Sequence, residues 1–238
     1  MSDITVIIPS SPIPSHPSTR IIEETIASVR YHLPTAPIIV MQDGVRKEQE
    51  DRIPVYTEYI ENLKKLELPN LRISQFEQFT QQAVMTMQTL PQIITPLLLF
   101  VEHDTPLVDA WIDWPLLQDA VTSGITNMIR LHYDEAIHPD HHHMMRGKLT
   151  DNLIKTVQWH QRPHLTSVNW YEGIINKYFT LQSRVWIEDK IYSPVSYSEW
   201  EDFKLTIYDP CGTGQNMKRS RDIDGRGEDI KYDKDLIW

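Results

Sequence analysis

Short apolar runs alternate with longer amphipathic segments up to about residue 135, and this alternation limits the possible folds more than any other feature. It is typical of β-α units that build a mainly parallel sheet with helices on its faces. It predicts strands over residues 4–9, 36–44, 71–78, 96–104 and 124–133. It predicts helices over residues 20–33, 50–67, 80–90 and 114–123. The chain is therefore expected to form a single α/β domain.

The pattern is less regular after residue 135. Short strands are predicted over residues 164–171 and 178–187, and a helix around residues 197–208. The histidine-rich stretch His138–Gly147 stands out by composition. Adjacent side chains of an extended chain point to opposite faces, so these histidines do not converge easily on one ion, and a loop over the cleft is the favoured interpretation. One of them, with His132 or His160, could still contact a metal or a phosphate.

Composition argues against several classes of function. The 238 residues carry a formal net charge of −10, whereas general nucleic-acid binders present a basic face. No apolar run approaches the roughly 20 residues of a membrane helix. The single cysteine, Cys211, and a start that does not resemble a leader favour a reducing, cytoplasmic compartment. Residues 218–235 carry mixed charge and few apolar side chains, and residues 216–238 are expected to form a solvated polar tail.

The segment "LLLFVEHDTP" ends the most apolar predicted strand in three ionisable residues. In an extended segment, residues two apart point to the same side, so Glu102 and Asp104 could converge while His103 points away. Two carboxylates this close repel each other unless a cation lies between them, and carboxylate oxygens suit Mg²⁺ or Mn²⁺. The alternative is a pair of solvated acids that cap the strand.

Other candidate residues also follow predicted strands. Asp43 and Gly44 end the second strand, where the carboxylate could accept a hydrogen bond from a ligand, although Asp-Gly is also a common turn. The Pro/Ser-rich loop after the first strand could wrap a nucleotide, but it contains neither a dinucleotide fingerprint nor a P-loop. Two aromatic-flanked acid pairs are candidates for a general base. They are Glu188 with Asp189 and Glu201 with Asp202.

The order of these features resembles the GT-A type glycosyltransferases, especially family 2-like enzymes and small viral or bacterial members. The resemblance rests on the first-strand loop, on Asp43, and on an acid-x-acid motif after a buried strand at the place of the family's DxD motif. It implies a GT-A-like domain with a Rossmann-like sheet. Residues 1–110 would form the nucleotide-sugar half and residues 111–215 the acceptor and catalytic half.

The resemblance also implies roles for individual residues. Pro9, Ser10, Ser11, Arg20, Asp43 and Gly44 would bind the nucleotide-sugar donor, expected to be a UDP-sugar. Glu102 and Asp104 would hold Mn²⁺ or Mg²⁺, with Asp104 as the better ligand because the first acid of the motif is glutamate here. Glu201 or Asp202 would deprotonate a glycan or other hydroxyl acceptor, if the reaction inverts the sugar's configuration.

Two other functions remain open at this stage. A nucleotidyltransferase would also use acids and a metal, but these enzymes usually carry a Gly-rich, basic loop after the first strand. A metal- or carbohydrate-binding module could use the histidine-rich loop and the aromatic residues without catalysis.

Overall fold

A computed structural model describes residues 3–223, and within them the chain forms one nine-stranded sheet in the order β3-β2-β1-β4-β8-β5-β9-β7-β6. The strands are β1 Ile4–Ser10, β2 Ile38–Gln42, β3 Leu71–Gln75, β4 Leu97–Phe100, β5 Met128–Arg130, β6 Met145–Thr150, β7 Leu153–Thr156, β8 His164–Ser167 and β9 Leu205–Tyr208. The helices are α1 Arg20–His32, α2 Ile53–Lys65, α3 Gln81–Thr89, α4 Trp114–Thr122, α5 Val168–Tyr178, α6 Ile187–Ser196 and α7 Trp200–Phe203.

The first four strands form the parallel half of the sheet, as the alternation predicts. β1 pairs with β2 and β4, and β2 pairs with β3, all in parallel. Every residue of β1, β2 and β4 is buried, because apolar clusters pack against both faces of these strands. The predicted α/β fold with helices around a mostly parallel core is confirmed.

The second half of the sheet is mixed. β8 lies antiparallel between β4 and β5, and β7 lies antiparallel between β9 and β6. The β6–β7 hairpin follows a short 3₁₀ segment, Pro139–Met144, that contains most of the histidine-rich stretch. Sequence alternation was too weak here to predict this hairpin.

Two predictions in this half are correct only over part of their length, and one is wrong. The predicted strand over residues 164–171 ends at Ser167, whose side chain accepts a hydrogen bond from the backbone N–H of Trp170 and so begins α5. No strand forms over residues 178–187: Tyr178 ends α5, Ile187 begins α6, and residues 179–186 between them form turns and irregular backbone. The helix expected around residues 197–208 is only α7, because Lys204 adopts a left-handed conformation that ends it before β9.

The expected solvated tail is wrong for its first residues. Met217, Ser220 and Ile223 are buried, and Ser220 forms a bridge with Leu107. The backbone N–H of Ile223 donates to the carbonyl of Asp104, which ties this segment to the loop after β4. The rest of the predicted tail, residues 224–238, lies outside the described residues. Among residues 3–223, no helix has the length and apolar character needed to cross a membrane.

Candidate active site

The carboxyl ends of β1, β2 and β4 lie at one edge of the sheet and border a cavity of about 90 Å³. Its wall contains the predicted site residues Pro9, Ser10, Ser11, Asp43, Glu102 and Asp104. The remaining wall residues are Gln81, Gln82, Met85, His103 and Trp186. The structure thus brings together candidates from three strand ends, as expected for ligand sites of open parallel sheets.

Glu102, His103 and Asp104 do not continue the strand. β4 ends at Phe100, and the N–H of Thr105 donates to the carbonyl of Glu102 at 3.1 Å, which closes a turn. The alternation of an extended chain therefore does not apply, and the expectation that His103 points away is wrong. All three residues border the cavity, and the His103 side chain lies near that of Asp104, with Nε2 4.0 Å from Oδ2.

Glu102 is enclosed by the protein and lies near other charged groups. Burial raises its pKa to about 8, the charge of Asp104 adds to the shift, and Arg162 and a hydrogen bond from Gln82 oppose it. That bond runs from Gln82 Nε2 to Glu102 Oε1 at 2.9 Å. A carboxylate held in this way has a strong electrostatic preference for a nearby cation.

A divalent cation fits the donor atoms at this position. Glu102 and Asp104 provide carboxylate oxygens, the ligands that Mg²⁺ and Mn²⁺ prefer. Within residues 3–223, no group of three or more His, Cys, Asp or Glu side chains is arranged to hold a metal. Two protein carboxylates are nevertheless enough where substrate phosphates complete the shell, as is common for Mg²⁺.

Asp43 is the most heavily bonded of the predicted ligands. Its Oδ1 accepts from the backbone N–H groups of Gly44 and Thr80 and from the Thr80 hydroxyl, at 2.8–2.9 Å. Its Oδ2 accepts from the N–H of Gln81 at 2.9 Å. Burial raises the pKa of Asp43, and these hydrogen bonds oppose the shift. Only Oδ2 has capacity left for a ligand N–H. The bonds from Thr80 and Gln81 mean that Asp43 also holds the start of α3 in place.

We expect Asp43→Ala to lower the free energy of unfolding by about 2 kcal/mol, because it leaves buried N–H groups without an acceptor. Gln81 would also lose the contact that holds its strained backbone, which has a φ of 66°. Urea unfolding measures the change, with exposed Asp51→Ala as the control. Equal stability of the two variants would contradict this role.

The remaining predicted residues lie elsewhere. Arg20 is exposed at the start of α1, and Glu201 and Asp202 are exposed in α7; none of them borders the cavity. Gly44 has no room for a side chain, because a Cβ atom would lie 2.2 Å from the backbone of Gln78. Its place in the sequence therefore reflects close packing of two backbone segments.

The other predicted acid pair lies at the start of α6, beside the cavity. Glu188 is held by the N–H of Gln161, which donates to its Oε2 at 2.8 Å, while His160 Nδ1 lies 3.3 Å from the same oxygen. Burial raises the pKa of Glu188. Asp189 is exposed and lines an open groove of about 800 Å³, which shares Gln81 and Trp186 with the cavity.

Sequence reasoning missed Gln81 and Gln82, the first two residues of α3. Both are buried, and both border the cavity. Glutamine has no charge or motif that would single it out, and only the position of α3 after the third strand could have drawn attention to the pair. Trp186 precedes the acid pair Glu188 and Asp189 by two residues, but its sequence position alone does not place it at the cavity.

Known proteins resemble this chain in structure but not in sequence. No family model matches the chain, and no curated protein matches its sequence. Solved structures do match. TarS residues 1–349 from S. aureus share 14% identity with this chain at a TM-score of 0.53, over 87% of this chain and 58% of that one.

Two further structures were solved with ligands. GalNAc-T7 with UDP, GalNAc and Mn²⁺ matches at a TM-score of 0.58 and 11% identity, over 87% of this chain and 42% of that one. S. aureus TarS 1–349 in complex with UDP-GlcNAc matches at a TM-score of 0.51 and 14% identity, over 87% of this chain and 56% of that one. The chain spans about half the length of the structures that it matches. At these identities the likeness concerns the fold, which is of the GT-A glycosyltransferase type.

Proposed function

We propose that this protein is a metal-dependent glycosyltransferase that transfers a sugar from a nucleotide-diphosphate sugar, with UDP as the first nucleotide to test. The observation that carries the proposal is the cavity at the carboxyl ends of β1, β2 and β4, where Glu102 and Asp104 adjoin the loop of Pro9, Ser10 and Ser11. Structural neighbours with UDP, UDP-GlcNAc or Mn²⁺ in their crystals support this choice.

A whole donor needs more space than the cavity offers. Small-molecule sites usually measure roughly 300–1,000 Å³, so the cavity of about 90 Å³ would take only part of a nucleotide sugar. The adjoining groove of about 800 Å³ provides the remaining volume. We therefore place the donor across both, passing Gln81 and Trp186, which border each of them.

The residues would divide the work in the following way. Asp104 and Glu102 would hold the cation, which when bound supplies Lewis-acid stabilisation of the leaving diphosphate. The hydroxyls of Ser10 and Ser11 would contact the donor, and Asp43 Oδ2 would accept a hydrogen bond from the base. Arg162 lies near enough to Glu102 to lower its pKa, although its guanidinium is itself paired with Asp222.

Asp189 is the better placed candidate for the base that deprotonates the acceptor. It lines the open groove, whereas Glu188 is held by Gln161 and lies beside His160. Glu188 would anchor the start of α6 and so position Asp189. Glu201 and Asp202 remain the sequence-based alternative, although neither borders the cavity or the groove.

If Asp189 is the base, Asp189→Asn should lower kcat about 100-fold at unchanged donor KM, because positioned general bases contribute roughly this factor. Glu201→Gln and Asp202→Asn, as matched controls, should stay near the wild-type rate. Steady-state transfer assays on all three variants measure the difference. A large loss in Asp202→Asn together with a normal rate in Asp189→Asn would return the role to α7.

The proposal as a whole is tested with a donor screen. Thermal unfolding with uridine, guanosine and thymidine diphosphate sugars, each with and without Mn²⁺, should show a raised Tm for one nucleotide that depends on the metal, because binding to the folded state stabilises it. Hydrolysis of that donor to free sugar and nucleoside diphosphate should follow. Absence of both binding and hydrolysis across the series would reject the function.

The acceptor is proposed only as a hydroxyl group, of a glycan or another molecule. The exposed Cys211 is compatible with the predicted reducing, cytoplasmic compartment, which stays a prediction.

A further inference from the structure

The side chain of Gln82 connects Glu102 to the first residue of α6. It is 1% exposed and borders the cavity from the second position of α3. Its Nε2 lies 2.9 Å from Glu102 Oε1, and its Oε1 lies 3.2 Å from the backbone nitrogen of Ile187, the first residue of α6. One amide thus contacts both a cation-holding acid and the helix that carries Asp189.

The two contacts determine the orientation of the amide. A backbone N–H such as that of Ile187 can only donate, so the Gln82 atom facing it must be the oxygen. The Gln82 NH₂ group then faces Glu102, whose Oε1 must accept. The N–H of Ile187 is also one of the first-turn groups of α6 that have no acceptor within the helix, so Gln82 completes its bonding.

Gln82 is reinforced by a neighbouring contact. The N–H of Ala83 donates to the carbonyl of Val185 at 3.4 Å, which joins α3 to the residues just before α6. The bond from Gln82 Nε2 to Oε1 restrains the rotation of the Glu102 carboxylate, and Oε2 is the oxygen that Gln82 does not engage. Loss of the amide would free the carboxylate to rotate and would leave the first N–H of α6 unpaired.

We propose that Gln82 is a positioning residue that aligns the cation-holding carboxylate of Glu102 with the base-bearing start of α6. This inference rests on the proposed function. Residues that bond to metal ligands commonly change metal affinity or activity by 10–100-fold when replaced. Gln82 would influence both the binding of the cation and the position of the base, since it contacts both Glu102 and α6.

The test measures Mn²⁺ affinity by calorimetry without donor, and then kcat and KM. Gln82→Met keeps the volume and removes both hydrogen bonds, so we expect the Mn²⁺ Kd to rise about 10-fold and kcat to fall at least about 10-fold. Exposed Gln88→Met in the same helix is the matched control and should change neither. In a Glu102→Gln background, Gln82→Met should have no further effect on Mn²⁺ binding.

A measurement on the wild type covers the case in which Gln82→Met fails to fold. Titration with diamagnetic Mg²⁺ should shift the NMR signals of the Gln82 side-chain amide and the Ile187 backbone amide with one shared midpoint. An unchanged Mn²⁺ affinity in a folded Gln82→Met protein, or Mg²⁺ binding that leaves both signals in place, would overturn the inference. Wild-type protein that binds neither ion, both without and with UDP, would instead reject the proposed metal dependence.

Discussion

Asp104→Asn is expected to lower metal-dependent donor turnover by about 1,000-fold. The substitution keeps the size of the side chain but removes the charge that attracts the cation, and loss of Lewis-acid stabilisation costs several kcal/mol in the transition state. Asp104 is also the more accessible acid of the pair, with its side chain 36% exposed, so it can reach a cation in the cavity without rearrangement.

The measurement is Mn²⁺-dependent donor hydrolysis, accompanied by Mn²⁺ binding without donor. Asp109→Asn is the matched control, because Asp109 is exposed on the same loop and does not border the cavity. We expect the control to keep wild-type turnover and affinity. If Asp104→Asn keeps both as well, the acid-x-acid motif holds no catalytic metal and the proposed mechanism fails.

Glu102→Gln should stabilise the metal-free protein at alkaline pH while it impairs metal binding. Burial raises the pKa of Glu102 from 4.5 to about 8, so the folded protein keeps a proton on Glu102 that the unfolded chain releases. Stability contributed by this group is complete below pH 4.5 and is lost as the pH rises through 8. Glutamine stays neutral and avoids this loss.

We expect the free energy of unfolding of Glu102→Gln to exceed that of the wild type by about 3 kcal/mol at pH 9 and to equal it at pH 4. The figure at pH 9 is smaller than the full pKa difference implies, because the cavity admits some solvent. Urea unfolding of both proteins across this pH range, in the presence of a chelator, measures it. Adding Mn²⁺ should stabilise the wild type and leave Glu102→Gln unchanged. A constant stability difference across the pH range would show that Glu102 is not held in the way described.

The parallel half of the fold was predictable because β1, β2 and β4 are buried on both faces and the helices around them are amphipathic. The strands therefore appear in the sequence as continuous apolar runs, and the helices as apolar residues with helical spacing. The start of α5 was not predictable in the same way, since residues 164–171 contain apolar and aromatic side chains that suit a strand equally well. The decisive contact, from the Trp170 N–H to the Ser167 hydroxyl, is a single hydrogen bond.

The candidate site was also predictable only in part. Acids after apolar strands attract attention because an isolated buried carboxylate is costly, and Asp43, Glu102 and Asp104 all border one cavity. The direction of His103 was predicted wrongly because the chain turns immediately after β4. Gln82 could not be identified from the sequence, because its importance lies in contacts with residues 20 and 105 positions away.

The position of β8 has a consequence for how the gene could be divided. β4 is fully buried between β1 and β8, although β8 begins 64 residues after β4 ends. A fragment of residues 1–110 would expose the edge of Leu97–Phe100, an apolar strand without charge or proline, which favours aggregation. This fragment should therefore be insoluble when it is expressed alone, and it should become soluble only when the remainder of the chain is co-expressed.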